Sequence, residues 1–243
     1  INQYQVNMAE AEKEQASDYA TFNDFFTRPL KADARPLCDQ EDALIFPVDG
    51  AISQFGKIED GQIFQAKGHS YSTEALLANK ELAEHFADGE FMTIYLSPKD
   101  YHRIHMPVGG KLTDMLFVPG ELFSVNPLTT ENVPGLFARN ERVVSVFDTE
   151  HGKMAMVLVG ATIVASIETV WAGTIAPNVN KQVVHTQYTE HDNPVVLAKG
   201  DEMGRFKLGS TIVMLYQPNK IKFDDNQPGA DTRLGERCGT IIK

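Results

Sequence analysis

From residue 44 onward the chain is written in short apolar, β-branched runs, each closed within a few positions by Gly, Pro, Asn or Asp. Runs of that length are strand-sized, and the residues that end them are turn formers. The segments ALIFPV (43–48), AISQFG (51–56), FMTIYL (91–96), KLTDMLFV (111–118), RVVSVFD (142–148) and MAMVLVGATIVASIETV (154–170) predict a mostly antiparallel β core. A late strand is predicted over 210–216 (STIVMLY), straight after Gly209.

Helices belong to the periphery of this reading. Residues 8–20 (MAEAEKEQASDYA) are polar helix formers and predict a solvent-facing helix. Residues 21–30 (TFNDFFTRPL) predict a short helix behind a Thr21 cap, docked by Phe22, Phe25 and Phe26 and stopped at Pro29, with a lipid-facing aromatic edge as the sharper alternative. One further helix is predicted over Thr73 to Phe86, where Leu76, Leu77, Leu82 and Phe86 can share a face. The Pro- and Asn-rich tracts 176–195 and 217–231 read as exposed loops. The fold class is therefore mainly β, of the α+β kind.

Charge narrows the partners. Lys and Arg number 22 against 33 Asp and Glu, a net charge of −11. Such a chain repels phosphate backbones at long range, which argues against nucleic acid. It also repels anionic lipid headgroups, so any membrane contact has to rest on apolar residues or a local basic patch. The two cysteines, Cys38 and Cys238, fit neither a disulfide scaffold nor a zinc site, and they suit a reducing compartment. The longest strongly apolar stretch, Val157 to Ile167, is too short to span a bilayer, and no signal peptide is visible. The chain opens with Ile1, as a fragment or processed form would.

Three places carry residues suited to chemistry. Asp49 lies in Pro47-Val48-Asp49-Gly50, which is also ordinary turn composition. His102 and His105 follow Ser97-Pro98-Lys99-Asp100, where Ser97 can cap and Asp100 can close a capping box, so a single helical turn is predicted with both histidines near its end. An H-x-x-H pair can ligate a metal, but no third ligand falls at a recognised spacing, so no metal site is assigned. Two structural histidines are the plainer alternative. Ser210 opens a strand after glycine, without the G-x-S-x-G elbow of a hydrolase.

The string Gly204-Arg205-Phe206-Lys207-Leu208-Gly209-Ser210-Thr211 resembles the self-processing site of phosphatidylserine decarboxylases, whose L-G-S-T signature is specific. Other segments resemble that family in the same order: Phe25 to Pro29, Pro47 to Gly50, Lys67 to Tyr71, Tyr95 to Pro107, Pro119 to Asn126, Asn140 to Arg142, and Val159 to Thr162 through Trp171 to Gly173. The likeness covers roughly residues 20–216 and is strongest to the bacterial, proteobacterial-type enzymes.

The resemblance implies one domain over 1–243 with a barrel-sandwich hybrid-like β core. It implies self-cleavage between Gly209 and Ser210 into chains 1–209 and 210–243, with Ser210 becoming a covalent pyruvoyl cofactor. Asp49, His105 and Ser210 would form the self-cleavage triad, His105 being the base that Asp49 orients. The pyruvoyl group would bind the substrate amine as a Schiff base, and phosphatidylserine would lose CO₂ to become phosphatidylethanolamine. His102 would be the proton donor in that step. Tyr95, Phe123, Ser124 and Val125 would line the headgroup pocket. The expected partners are membrane phosphatidylserine and the protein's own two chains, with a homodimer compatible. The expected location is the cytoplasmic side of the cell membrane, peripherally bound. The alternatives are a pyruvoyl decarboxylase of another amine, a non-catalytic β-rich binding module on the same scaffold, and a hydrolase.

Overall fold

The computed structural model describes residues 4–162, 166–177, 181–189, 193–207 and 210–242, with Ser210 described by its backbone. The first strands in chain order are β1 (Ala43–Ile45), β2 (Gly50–Lys57), β3 (Gln62–Ala66), β4 (His69–Ser72), β5 (Glu90–Leu96), β6 (Arg103–His105), β7 (Gly110–Val118), β8 (Arg142–Thr149) and β9 (Gly152–Gly160). Then come β10 (Ile167–Thr169), β11 (Gly173–Ala176), β12 (Val184–Gln187), β13 (Val196–Leu197), β14 (Glu202–Phe206), β15 (Ser210–Tyr216), β16 (Ile221–Phe223), β17 (Asp231–Thr232) and β18 (Arg237–Ile241). Five short helices accompany them: α1 (Phe22–Phe26), α2 (Thr73–Leu77), α3 (Lys80–Glu84), α4 (Pro127–Asn132) and α5 (Leu136–Arg139). The protein is mainly β, as its punctuated runs predict. Its sheets are open, and no closed barrel forms among the described residues.

β15 runs through the middle of the nine-stranded sheet, whose order is β12-β7-β8-β9-β15-β5-β2-β17 with β13 also on β7. Ser210 pairs with Gly160 of β9 on one side and Leu96 of β5 on the other. Both faces of this strand are covered. Ile212, Met214 and Tyr216 join Met154, Met156 and Leu158 in one apolar cluster, while Val213 and Leu215 join Ala155, Val157 and Val159 in another. Burial on two faces explains why 154–160 and 211–216 read as unbroken apolar runs instead of alternating ones.

A second sheet, ordered β11-β10-β14-β6, brings Arg103–His105 alongside Glu202–Phe206. The chain therefore crosses from one sheet to the other between Phe206 and Ser210. A third sheet, β1-β18-β16, gathers the end of the chain against Ala43–Ile45.

The helical expectations fared unevenly. Residues 8–20 form two isolated turns of 3-10 helix, Met8–Glu10 and Ala16–Asp18, in place of one helix. Between them Ala11 is fully buried and bridged to Leu30, so a tertiary contact overrides helix propensity there. α1 begins as predicted, with Thr21 and Asp24 forming a reciprocal capping box. Phe26 is buried and Phe22 is 60% exposed, so the three phenylalanines do not dock as a set.

The helix predicted over 73–86 is two helices. Ala78 takes a left-handed conformation (φ 52°) and Asn79 caps the second, its Oδ1 accepting from Leu82 N. Leu76, Leu77, Leu82 and Phe86 still share one apolar cluster. The tract 176–195, read as loop, contains β12, which pairs along β7. His185 on that strand meets Asp114 at 2.8 Å. Likewise 217–231 contains β16.

Two of the buried polar side chains tie the helices to the rest of the core. Arg142, 2% exposed, donates to the carbonyls of Leu76, Ala75 and Asn140 and so closes the C-terminal end of α2. Gln65 donates to Thr130 O and Val133 O and accepts from Leu136 N, fastening the α4–α5 segment to β3. Arg139 lies over the Phe123 ring at 4.7 Å.

Because β15 is enclosed on four sides, Leu215→Ala is expected to cost about 2–5 kcal/mol in urea unfolding. Val196→Ala, at a 63% exposed edge position, should change stability by no more than about 0.5 kcal/mol.

Candidate active site

The loop between β5 and β6 holds most of the site, and its conformation starts with Ser97 and Asp100. Asp100 Oδ2 accepts from Ser97 N and Ser97 Oγ, both at 2.7 Å, while Asp100 N donates to Ser97 O at 3.0 Å. Half of the anticipated capping box forms: the Asp100 carboxylate accepts from Ser97 N, but Ser97 Oγ donates to that carboxylate instead of accepting from Asp100 N. These bonds close a turn, and no helix follows. The reason lies downstream, where Arg103 to His105 is drawn into β6 against β14.

His102 is fully buried. Its Nδ1 lies 2.8 Å from Asp100 O, and its backbone carbonyl accepts from Phe206 N at 3.0 Å. A carbonyl only accepts, so Nδ1 carries the hydrogen and Nε2 presents a lone pair. Among the described residues that Nε2 has no hydrogen-bond partner. The ring of Phe26 covers the imidazole, centroid to centroid 4.0 Å. Burial pulls the His102 pKa down from 6.5 to about 3, the nearby Arg28 lowering it further while the Asp100 hydrogen bond opposes the shift.

His105 repeats the pattern. Its Nδ1 faces Gly200 O at 2.8 Å, which leaves Nε2 as the basic nitrogen, 3.3 Å from the Tyr101 hydroxyl. Burial lowers its pKa as well, so the ring stays neutral and able to take a proton near pH 7.

Asp49, expected to orient His105, is hydrogen-bonded to other groups in this structure. Its carboxylate accepts from Arg35 Nε at 2.9 and 3.1 Å, from Arg35 Nη2, and from Leu234 N at 2.9 Å. The two are neighbours through the backbone, since His105 N donates to Pro47 O at 2.9 Å. Their side chains nevertheless share no hydrogen bond, because Arg35 is the stronger and better-shaped partner for a carboxylate. Arg35 and Tyr101 are thus the side-chain partners of Asp49 and His105 that sequence reading missed. A partner 14 positions upstream follows no spacing rule.

Ser210 sits where β15 begins, and His102 and Ser210 flank the two ends of the crossing that starts after Phe206. Leu208 and Gly209 lie outside the described residues, as does His191. Asn140, fully buried, stiffens the far side. Its Oδ1 accepts from Phe123 N, and its Nδ2 donates to Phe123 O at 2.9 Å and to Gly160 O at 2.8 Å. One side chain therefore joins the 121–124 segment to the residue paired with Ser210.

Of the four expected pocket residues, Tyr95 and Val125 line a shared cavity of about 240 Å³ with Ala51, Thr130 and Glu131. Phe123 and Ser124 do not line it. Phe123 packs beneath Arg139 instead. Tyr95 pairs with Thr211, one position along from Ser210.

The chain is similar to known proteins along most of its length. A family model described as phosphatidylserine decarboxylase matches residues 22–240. A phosphatidylserine decarboxylase proenzyme of Pseudoalteromonas atlantica is 65% identical, covering 100% of this chain and 86% of its own length. Proteins of the same name from Shewanella pealeana (61% identical, 99% and 85% covered) and Alteromonas mediterranea (60% identical, 97% and 73% covered) are also similar.

His102 keeps its neutral state in the fold down to about pH 3, whereas in the unfolded chain it binds a proton below about 6.5. Its stabilising share is therefore complete above that upper value and is lost as pH falls between the two. Urea midpoints measured between pH 7.5 and 5 are expected to fall less steeply for His102→Asn than for the parent chain.

Proposed function

Because the chain belongs to the phosphatidylserine decarboxylase family, we propose that it converts phosphatidylserine to phosphatidylethanolamine and CO₂ after cutting its own backbone between Gly209 and Ser210. The observation that carries the site assignment is the matched pair of buried imidazoles, each with Nδ1–H held by a backbone carbonyl and Nε2 left basic.

Self-cleavage needs a base, since a serine hydroxyl is a weak nucleophile until its proton is taken. His105 Nε2 is the group we assign, with Tyr101 holding the ring's angle. A positioned base of this kind is worth about 10² to 10⁴ in rate. The Ser210 oxygen adds to the Gly209 carbonyl, the peptide C–N bond breaks, and the nitrogen of residue 210 takes the proton. The ester so formed eliminates. The α-proton of residue 210 leaves, the Gly209 carboxylate departs, and water hydrolyses the resulting enamine to a ketone and ammonia. Asp49 supports this at one remove, by fixing Arg35 and the 47–50 turn on which the His105 backbone rests.

The residues suit the pyruvoyl group that results. The backbone at 210 is anchored on both sides, and a basic nitrogen without a partner lies buried at the other end of the crossing. That group supplies the electron sink for decarboxylation. His102 handles the proton. Being neutral, its Nε2 first accepts a proton from the headgroup ammonium, which must lose one to react, and then returns it to the α-carbon after CO₂ departs. Tyr95 and Val125 contribute the wall of the headgroup pocket.

The cut need not release the small chain. β15 is paired on both edges by strands of 1–209, and β18 pairs with β1. Chains 1–209 and 210–243 would therefore remain one folded unit. We place the enzyme peripherally on the cytoplasmic face of the membrane, where exposed Phe22 and Leu128 support apolar contact by a chain too acidic for electrostatic attachment.

Denaturing gels and intact mass provide the test. Purified protein should run as two chains that co-elute under native conditions, with a ketone in place of the amine on the smaller. His105→Ala is expected to stay uncut. His102→Ala should cut yet release little CO₂, at least 10²-fold below the parent. A fully active, uncut chain would end the proposal.

A further inference from the structure

Arg28 is the buried charge that the chemistry above leaves unused. It is 3% exposed, lies at the end of the α1 segment, and spends only one of its donors on the protein, Nη2 to Lys99 O at 2.9 Å. Among the described residues, Nε and Nη1 are buried without a hydrogen-bond partner. The guanidinium rests on the Phe25 ring at 5.4 Å, which contributes cation–π attraction but satisfies no N–H. A buried guanidinium with two unmet donors is costly unless something accepts from them.

Beside it is a cavity of about 140 Å³, lined by Arg28, Arg35, Lys99, Glu10, Asp49 and Asp100 among others. One water needs only about 10–15 Å³ of such space, so there is room for a tetrahedral oxyanion. Formal charges around it balance, yet the pairings do not. Arg35 is taken by Asp49 and Glu10, and Asp100 by Ser97. Among the described residues, the cations left without an ion-pair partner are Arg28 from within and the exposed Lys99 at the rim, while the Asp100 carboxylate is held by the neutral Ser97.

We propose that this cavity is an oxyanion site in which Arg28 grips a phosphate group, the phosphodiester of the bound headgroup being its source. This rests on the reading that the substrate is an aminophospholipid. Planar, forked guanidinium donors suit phosphate oxygens, and the flexible ammonium of Lys99 adds charge at the opening. The position is apt as well. Phe26 covers His102, Arg103 Nε donates to Thr27 O at 2.9 Å, and Tyr101 lines the same cavity. A phosphate held there sits next to the loop that carries His102, so binding the headgroup and aiming its amine become one event.

The test titrates orthophosphate against the full processed protein and follows the ³¹P line width, for the parent, Arg28→Gln, Arg28→Lys and Lys99→Gln. The parent is expected to bind with millimolar affinity. Arg28→Gln should weaken binding at least tenfold, Arg28→Lys less, and Lys99→Gln by about two- to threefold. Melting curves accompany each, and if Arg28→Gln fails to fold, the Arg28→Lys and Lys99→Gln comparisons decide. Orthophosphate that competes with phosphatidylserine in detergent micelles identifies the headgroup as the source, and binding without competition identifies free phosphate. In the first case Arg28→Gln should raise KM more than it lowers kcat. Equal phosphate binding by the parent and the folded Arg28 variants overturns the site. Intact phosphate binding with no CO₂ release by the parent would instead overturn the reading of the activity.

Discussion

The placement of β15 in the interior of the large sheet is the constraint on which the remaining structure depends. A strand covered on both faces and paired on both edges cannot shift register without exposing every apolar residue along it. Ser210 is its first residue, so the position proposed to react inherits the rigidity of the core while staying at its rim. Under the proposed cut at 209/210, the same pairing would keep the two pieces together. β5 and β9 hold the strand that begins at the cut, and the 96–105 loop grows out of the end of β5.

Around that anchor, proton chemistry is set by backbone carbonyls more than by charged side chains. Asp100 O and Gly200 O each hold one imidazole in a single tautomer, and burial keeps both rings neutral. Electrostatic support is kept one step back. Asp49 is paired with Arg35 and the backbone at Leu234, which removes a bare carboxylate from beside two neutral bases. The α1 segment closes over this arrangement through Phe26, Thr27 and Arg28, which touch the 99–103 loop by one ring contact and two hydrogen bonds.

Where local sequence and structure disagree, a longer-range contact is the cause. Residues 8–20 have helix-forming composition, yet Ala11 is captured by Leu30 and the helix does not form. Ser97 and Asp100 make half of a capping box, but pairing with β14 pulls the next residues into a strand. The 73–86 segment keeps its apolar face while Asn79 divides it. In each case the short-range signal was genuine. It was outweighed by burial or pairing that no window of a dozen residues contains.

The sequence by itself determined the β-rich class, the strand 210–216, the unbroken apolar runs of doubly buried strands, and the identity of Asp49, His102, His105 and Ser210 as residues to watch. Those features are local: they arise from side-chain chemistry and spacing along the chain. Tertiary structure alone decided who partners whom. It gave Asp49 to Arg35 and His105 to Gly200 and Tyr101, and it left Arg28 facing a cavity with two donors unmet. A hydrogen bond needs two groups within about 3 Å in space, and when folding brings them together from distant parts of the chain, no reading along it can name the pair.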